Sequence, residues 1–452
     1  MVQNLNQLVH SVTYTIQQQD KEAFFENIKD LQKYDLTRIF IKLSSDEQEI
    51  FLEFISIPLL ADLLSELDGK NQLAVIKTLD WKKVSLSVTE MNNDDLVSML
   101  SQLGAEKSAE VLSYLDKALS ADIENILAYP PETAGRIMNN QMVWINQSYT
   151  VREAVDKLKH FAELAEYLNY LYVIDDDKRL VGIVSYRELL LADMQTEIAD
   201  IMQTRILKVD ALMDQEEVAR MIQRYDFVTI PVVDEHEKLL GIVTIDDILD
   251  VVYQEAEEDI EKFSASGKSI DFNTKPVTAA KRRLAWLILL LFIGIVSGSI
   301  IASFEETLEE VVALAFFMPM VAGMTGNTGT QSLAVVIRGL AKEKINTKQV
   351  INLLVRELKV GIYIGLTCGL LIFIIAYLWQ NSLILGMVIG VSLLCTLIIG
   401  TIAGTVIPLI LNKLNVDPAV ASGPLITTIN DILSLLIYFG IATAFLVCHG
   451  AF

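Results

Sequence analysis

Asp431 is the residue whose surroundings most demand a chemical explanation. It sits in a stretch from about Ala421 to Cys448 that is apolar apart from Asn430-Asp431. Counted from the basic end of that stretch, it lies about eight residues in, roughly 12 Å deep at 1.5 Å per residue. A charge at helix centre costs about 2.5–3.5 kcal/mol on insertion scales, so such a carboxylate normally faces a pathway or a partner. A second apolar stretch is broken by Pro319, Gly323, Gly326, Asn327, Gly329 and Gln331. There Asn327 lies 11 residues before the basic Arg338, about 16 Å by the same rise. No Lys or Arg lies in any apolar stretch at that level. Each feature has a plain alternative: Asp431 as a hydrogen-bonded helix contact, the glycines as tight helix packing. Taken together, an uncompensated acid and an amide at matched depth point to a cation pathway. Were the chain a two-fold dimer with this element on the axis, two Asp431 carboxylates would face one lumen. That suits Mg²⁺, which is commonly bound through one or two carboxylates while keeping most of its water. No His or Cys accompanies Asp431, which argues against zinc or copper.

The elements that must hold these residues follow from charge and hydropathy. The 452 residues are 52% hydrophobic yet carry a net charge of -22. Residues 276–452 hold 8 acidic and 10 basic side chains, leaving 50 acidic and 26 basic of the 58 and 36 in residues 1–275. A strongly acidic water-facing half is thus joined to a membrane half, and so acidic a field excludes nucleic-acid binding. Leu284–Phe304, Val311–Ile337, the 52 uncharged residues Val360–Leu411 broken at Gln380-Asn381-Ser382, and Ala421–Cys448 give five spans, at about 20 residues each. Basic residues flank the first span (Lys281, Arg282, Arg283), the loop from Arg338 to Lys359, and Lys413. The positive-inside rule then places the acidic half in the cytoplasm and the C-terminus outside. The loop Glu305–Glu310, on the outer side, could concentrate cations or be plainly solvated. Cys368, Cys395 and Cys448 lie in apolar runs, so neither a disulfide framework nor a zinc spacing is present.

Residues 1–128 show helical periodicity, as in Phe51, Phe54, Ile55 and Leu59, and read as a helical bundle or superhelix. An internal repeat follows: residues 172–190 align with 231–249 at an offset of 59, with seven identities including Gly-Ile-Val. Each copy reads strand, acidic turn, strand, then a Ser or Thr with an acid three residues on: Ser185/Glu188 and Thr244/Asp247. Those pairs fit a helix capping box, and equally a grip on nucleotide hydroxyls.

The two copies resemble a tandem CBS pair, a regulatory module that often binds adenine nucleotides. Residues 129–138 (Tyr-Pro-Pro-Glu-Thr-Ala-Gly-Arg-Ile-Met), 326–332 (Gly-Asn-Thr-Gly-Thr-Gln-Ser), and Asp417-Pro418, Ser422-Gly423-Pro424 and Asn430-Asp431 resemble the MgtE family of magnesium transporters and channels. Thr325 departs from the pattern, since the family often has Gly there. The resemblance covers the chain in order. It implies a multi-domain membrane protein with an all-α N domain at 1–128, α/β CBS copies at 129–199 and 200–257, a connecting helix and linker at 245–275, and a five-helix membrane domain at 276–452. It further implies a homodimer in the lipid bilayer, with Asp431 binding the hydrated ion and Asn327 and Asn430 nearby; Asp417 falls within a matching motif. It also implies a cytosolic Mg²⁺ sensor, to which composition lends separate support. Asp214, Glu216, Asp226, Asp246, Asp247, Asp250, Glu255, Glu257, Glu258 and Asp259 crowd into 46 residues, and Asp94-Asp95 offer further acids from the helical domain. Such acids repel unless divalent ions bridge them, or they are simply a solvated surface. For ATP, the resemblance points to Tyr170, Arg187, Glu188 and Phe227.

The expected protein is a plasma-membrane Mg²⁺ channel for uptake, closed when cytosolic Mg²⁺ clamps the acidic domains and the helix from Thr244 to Phe263 is held against the pore. One alternative is an ion-coupled secondary transporter, against which no inverted repeat is visible. Another is a membrane-anchored metal or nucleotide sensor that conducts nothing. No catalytic grouping appears and there are four His, so an enzyme is not expected.

Overall fold

A computed structural model describes residues 5–161, 170–264, 270, 274–340, 346–414, 416–420 and 423–449. Ser422 of the third motif and Lys342 and Lys344 of the basic loop lie outside the described residues. The chain forms two compact units, Met1–Tyr253 and Gln254–Phe452.

In the first unit, helices α1–α10 run from Leu5 to Leu127. Three of their starts are set by an aspartate side chain that accepts orphan amides of the first turn. Asp20 accepts from Ala23 N, Asp68 from Asn71 N, and Asp116 from Ala118 N and Leu119 N. Their apolar faces meet in one core, where the Phe24 ring packs edge-on against Phe51 at 5.1 Å. That core continues without a break through Ala134 and Met138 into Ile230, Val232 and Val243 of the second repeat copy. The link is helix α11 (Ala134–Ile137). Ala134 N and Gly135 N donate to Met213 O and Ala211 O, both at 2.7 Å, so this junction is held by the second copy. Arg136 reaches back to Leu127 O and Ser101 Oγ.

Each repeat copy carries a three-stranded sheet of the same design: β1-β2-β3 (Trp144–Asn146, Tyr170–Ile174, Leu180–Ser185) and β4-β5-β6 (Val209–Asp210, Thr229–Val233, Leu239–Thr244). In both, the first pair is parallel and the second antiparallel. The acidic turns have a local cause. Asp175 Oδ1 accepts from Asp177 N and Arg179 N, and Asp234 Oδ1 accepts from His236 N and Lys238 N. The equivalent Lys178 and Glu237 both take the left-handed conformation, at φ 64° and 65°. Tyr172 and Thr229 hydroxyls, 2.9 Å apart and buried, join the copies. Helices α12 (Val151–Phe161), α13 (Tyr186–Leu191), α14 (Ile198–Ile201) and α15 (Gln215–Tyr225) cover the sheets, and α16 (Ile245–Phe263) leaves the second copy.

The second unit contains α17 (Pro276–Ser303), α18 (Glu305–Glu310), α19 (Ala313–Leu340), α20 (Thr347–Gln380), α21 (Leu383–Lys413) and α22 (Gly423–His449). The loop expected at Glu305–Glu310 is the short helix α18, pinned by a 2.9 Å contact between the Thr307 and Thr443 hydroxyls. The break expected at Gln380-Asn381-Ser382 is present: Asn381 is left-handed at φ 49°, and Ser382 Oγ caps α21. Where five spans are expected, four helices are long and apolar enough to cross a membrane among the described residues: α17, α20, α21 and the Gly423–Phe445 part of α22. The remaining helix, α19, equals α17 in length at 28 residues. Its run Thr325–Gln331 is entirely glycine or polar, which dilutes its hydropathy. Thr325, Gly326, Thr328 and Gly329 of that stretch are buried where α19 packs against α21 and α22, while Asn327 and Gln331 are exposed.

Candidate ion pathway and regulatory sites

The polar run of α19 is enclosed by glycine contacts on two sides. A Cβ on Gly404 of α21 would fall 2.2 Å from Gly329 O, so the two backbones touch. On the other side Asn430 of α22, fully buried, fills the space beside Gly329. Its Nδ2 lies 3.5 Å from Thr325 O, and its Oδ1 has no hydrogen-bond partner among the described residues. Thr325 takes the site where the resemblance leads one to expect Gly. Its methyl packs on Gly400 and its hydroxyl donates to Val321 O at 2.8 Å, so the helix is undisturbed.

These contacts sort the expected pathway residues. Asn430 faces into the helix bundle, against α19. Asn327 belongs to an exposed stripe of α19 with Gly323 and Gln331, away from the buried Thr325, Thr328, Gly329 and Ser332. Asp431, next to Asn430 on α22, is half-buried. Its backbone carbonyl accepts from Ser434 Oγ at 2.9 Å, while its carboxylate makes no hydrogen bond or ion pair among the described residues. An acid left without a counterion or donor in an apolar helix suits a transient, hydrated cation. Asn430 and Asn327 therefore present amides to different faces of α19.

Two neighbouring groups carry chemistry that the sequence did not single out. Glu357 of α20 is 5% exposed. It accepts from Ser332 Oγ of α19 at 3.1 Å and pairs with Arg356 at 2.8 Å. Thr330 and Thr427 bring their hydroxyls within 3.3 Å between α19 and α22. Seen in sequence, Glu357 is one acid inside a basic loop, and only tertiary packing reveals its burial.

Near the start of α22, Asp417 Oδ2 lies 2.5 Å from Lys262 Nζ, which also pairs with Glu258. Burial disfavours the charged amine, but the hydrogen bonds to Asp417 and Glu258 outweigh it and hold Lys262 above its ordinary range. Asp417 and Glu258, expected as metal ligands, are thus brought together around a lysine.

In the first unit, Asp94 heads helix α8 (Asn93–Leu103) and Asp247 follows β6. Burial, then the nearby Asp94, push Asp247 up to about 7. Asp94 is likewise raised by burial, although Asn139 Nδ2 donates to it at 3.3 Å. Two carboxylates that oppose each other's ionisation form a site a cation would relieve. Thr244 caps through Asp247, and Ser185 caps through Glu188 with Ser185 Oγ to Oε2 at 2.8 Å, so the capping reading holds in both copies. The environments differ: hydrogen bonds from Ser185, and one from Gln203, lower Glu188.

Other acids of the cluster have local roles. Asp214 caps α15, Glu216 pairs with Arg220 at 2.5 Å, and Asp226 ends α15 in a left-handed turn. Asp246 and Asp250 are exposed, Asp95 is half-buried beside Asp94, and Glu255 and Asp259 are half-buried on α16. Among the described residues no three His, Cys, Asp or Glu side chains converge as a metal-binding group. Of the nucleotide candidates, Tyr170 begins the central strand β2 and pairs in register with Ser185 at the end of β3, and Arg187 and Glu188 follow on α13, so these lie at one end of the sheet. Phe227 stacks on Tyr225 at 5.6 Å in the second copy.

Comparison with known proteins matches each region. A family model described as a divalent cation transporter, MgtE, covers residues 318–441, the MgtE intracellular N domain covers 31–132, and CBS domains cover 134–195 and 198–254. The chain is 52% identical over 448 residues to the magnesium transporter MgtE of Bacillus subtilis, spanning 99% of both. It is 35% identical to that of Thermus thermophilus over 96% of this chain and 98% of the relative. Among solved structures, the soluble part of a magnesium transporter matches 56% of this chain and all of that one, at 33% identity and TM-score 0.53. The cytosolic domain of the Mg²⁺ channel MgtE in complex with ATP matches 54% of this chain and 99% of that one, at 32% identity and TM-score 0.52.

Proposed function

The chain belongs to the MgtE family of magnesium transporters, and from that premise we propose that it conducts Mg²⁺ across the plasma membrane for uptake. The observation that carries the conduction step is the carboxylate of Asp431, held in α22 without a counterion or hydrogen-bond donor among the described residues. Mg²⁺ gives up water reluctantly, so one carboxylate from each of two subunits would steer it with its shell largely intact. A homodimer would cover the exposed stripe of Asn327 and Gln331 on α19 and line a lumen with it. In this reading the N-terminal unit is cytoplasmic and the C-terminus outside, as the basic residues suggest.

Regulation would come from the acidic unit. Asp94 and Asp247 are costly neighbours when both are charged, and a divalent ion between the elements that carry them would favour their approach. Bound Mg²⁺ would then stabilise the closed arrangement, and its loss would let repulsion open the pore. ATP, bound in the relative's cytosolic domain, is proposed here for the end of the sheet marked by Tyr170, Arg187 and Glu188. The protein would act as a channel and carry out no covalent chemistry.

Patch recording of the full chain across a range of cytoplasmic Mg²⁺ tests this reading. Wild type should carry Mg²⁺ current that falls as cytoplasmic Mg²⁺ rises, and Asp431→Ala should carry none. Undiminished current in Asp431→Ala would remove the permeation model.

A further inference from the structure

The end of helix α16 meets the membrane helices through two adjacent side chains of different chemistry. Phe263 packs against the buried pair of Leu333 of α19 and Ile426 of α22, a cluster that Ile407 and Leu411 of α21 also cover. Its ring comes within 3.8 Å of where a Cβ on Gly423 would lie, at the start of α22. The preceding residue, Lys262, has its Nζ 2.5 Å from Asp417 Oδ2 and is also paired with Glu258 one turn earlier. Both members of the Lys262–Asp417 pair are about two-thirds covered, with side chains 32% and 35% exposed. Asp417 cannot easily turn away, because its Oδ1 accepts from Ala419 N at 2.8 Å within the turn between α21 and α22.

A carboxylate pair on separate elements would ordinarily need an added cation to hold them together. Here the ammonium of Lys262 supplies that charge from within the chain. We propose that Lys262 and Phe263 form a metal-independent latch that seats α16 on the ends of α19, α21 and α22. Lys262 is a positioning residue in this scheme, and it occupies the space a divalent ion would need between Glu258 and Asp417. The consequence is that part of the closed state's stability comes from the chain itself. This rests on the Mg²⁺-gated closure proposed above.

The test uses the full-length protein in inside-out patches, with cytoplasmic MgCl₂ titrated to half-closure. Lys262→Ala should raise the Mg²⁺ needed for half-closure about fivefold or more, the low end of usual coupling between sites. The exchanged pair Lys262→Asp with Asp417→Lys should return it to within about twofold of wild type, since the latch needs opposite charges and no fixed order. An unchanged midpoint in Lys262→Ala, or a lowered one, would overturn the latch; the lowered value would mean that the lysine merely repels ions. Failure of the exchange to restore closure would also count against it, pointing to Asp417 as a metal ligand. Independently of current, carbodiimide coupling in Mg²⁺-free buffer should join Lys262 to Asp417, read by mass spectrometry of the peptides. Absence of that product would refute the contact. A wild type indifferent to cytoplasmic Mg²⁺ would defeat the gating reading, while the coupling product would still decide whether the latch exists.

Discussion

Gly329 and Asn430 share one space: a Cβ placed on Gly329 would fall 1.8 Å from Asn430 Nδ2. The opposite face of the same residue is closed by Gly404, whose own Cβ would stand 2.2 Å from Gly329 O. At Gly329, therefore, α19 passes between α21 and α22 with no slack. An atom added there must displace a backbone or a fully buried amide.

Gly329→Ala and Gly404→Ala should each lower Mg²⁺ uptake into proteoliposomes by at least about tenfold, because overpacking on this scale costs about 1–3 kcal/mol or more. The comparison is Gly298→Ala on α17, where a Cβ meets nothing within 4 Å and uptake should persist. Uptake by Gly329→Ala equal to wild type would mean that α19 is free to move aside.

The Asp94–Asp247 pair predicts a pH dependence with a definite sign. The folded unit raises Asp247 from 3.8 to about 7, so folding favours its protonated form. Without Mg²⁺, this group's contribution to the stability of residues 1–253 should grow as pH falls from about 7 towards 4 and be weakest above pH 7. Thermal melts of that unit in chelator, wild type minus Asp247→Asn, should show this slope. The variant should be the more stable protein at pH 8 and should lose the stabilisation that added Mg²⁺ gives wild type. A flat difference across pH would show that the two acids do not oppose each other.

Much of this arrangement was legible in sequence because its causes are local. The break at Asn381, the turns at Asp175 and Asp234 and the caps at Ser185 and Thr244 depend on residues within about four positions of each other. The repeat fixed two similar sheets, and uncompensated Asp431 stood out by its setting alone. What sequence could not supply was partnership over distance. Lys262 and Asp417 are separated by 155 positions, and Glu357 and Ser332 by 25. Composition also treated every acid near α16 alike. Structure divides them into helix caps such as Asp214, ion pairs such as Glu216–Arg220, and the strained pair Asp94–Asp247.

Nucleotide binding can be separated from helix capping at the first repeat copy. Tyr170 is 40% exposed and lies directly across from Ser185, whose cap with Glu188 is already complete. If that end of the sheet takes ATP, calorimetry on residues 1–253 should give saturable heat that Tyr170→Ala weakens about tenfold, in line with the about 1–3 kcal/mol that base stacking on an aromatic contributes. The melting temperature of Tyr170→Ala without ATP should stay near wild type, since the ring is not part of the core. No heat with wild type would leave the cap as the only role of Ser185 and Glu188.

Glu357 offers an asymmetric test of how α19 is held. The carboxylate is buried, whereas Arg356 is 57% exposed at its side chain. Removing the arginine strands a charge away from water, while neutralising the acid leaves no buried charge, and an unsatisfied buried group costs about 1–3 kcal/mol, more when it is charged. Arg356→Ala should therefore lower the thermal midpoint in detergent more than Glu357→Gln, which can still accept the hydrogen bond from Ser332. The double variant should recover most of what Arg356→Ala loses, because its side chain at 357 no longer needs a cation. Additive losses in the double variant would mean that Arg356 stabilises the protein through some other contact, and that Glu357 does not depend on it.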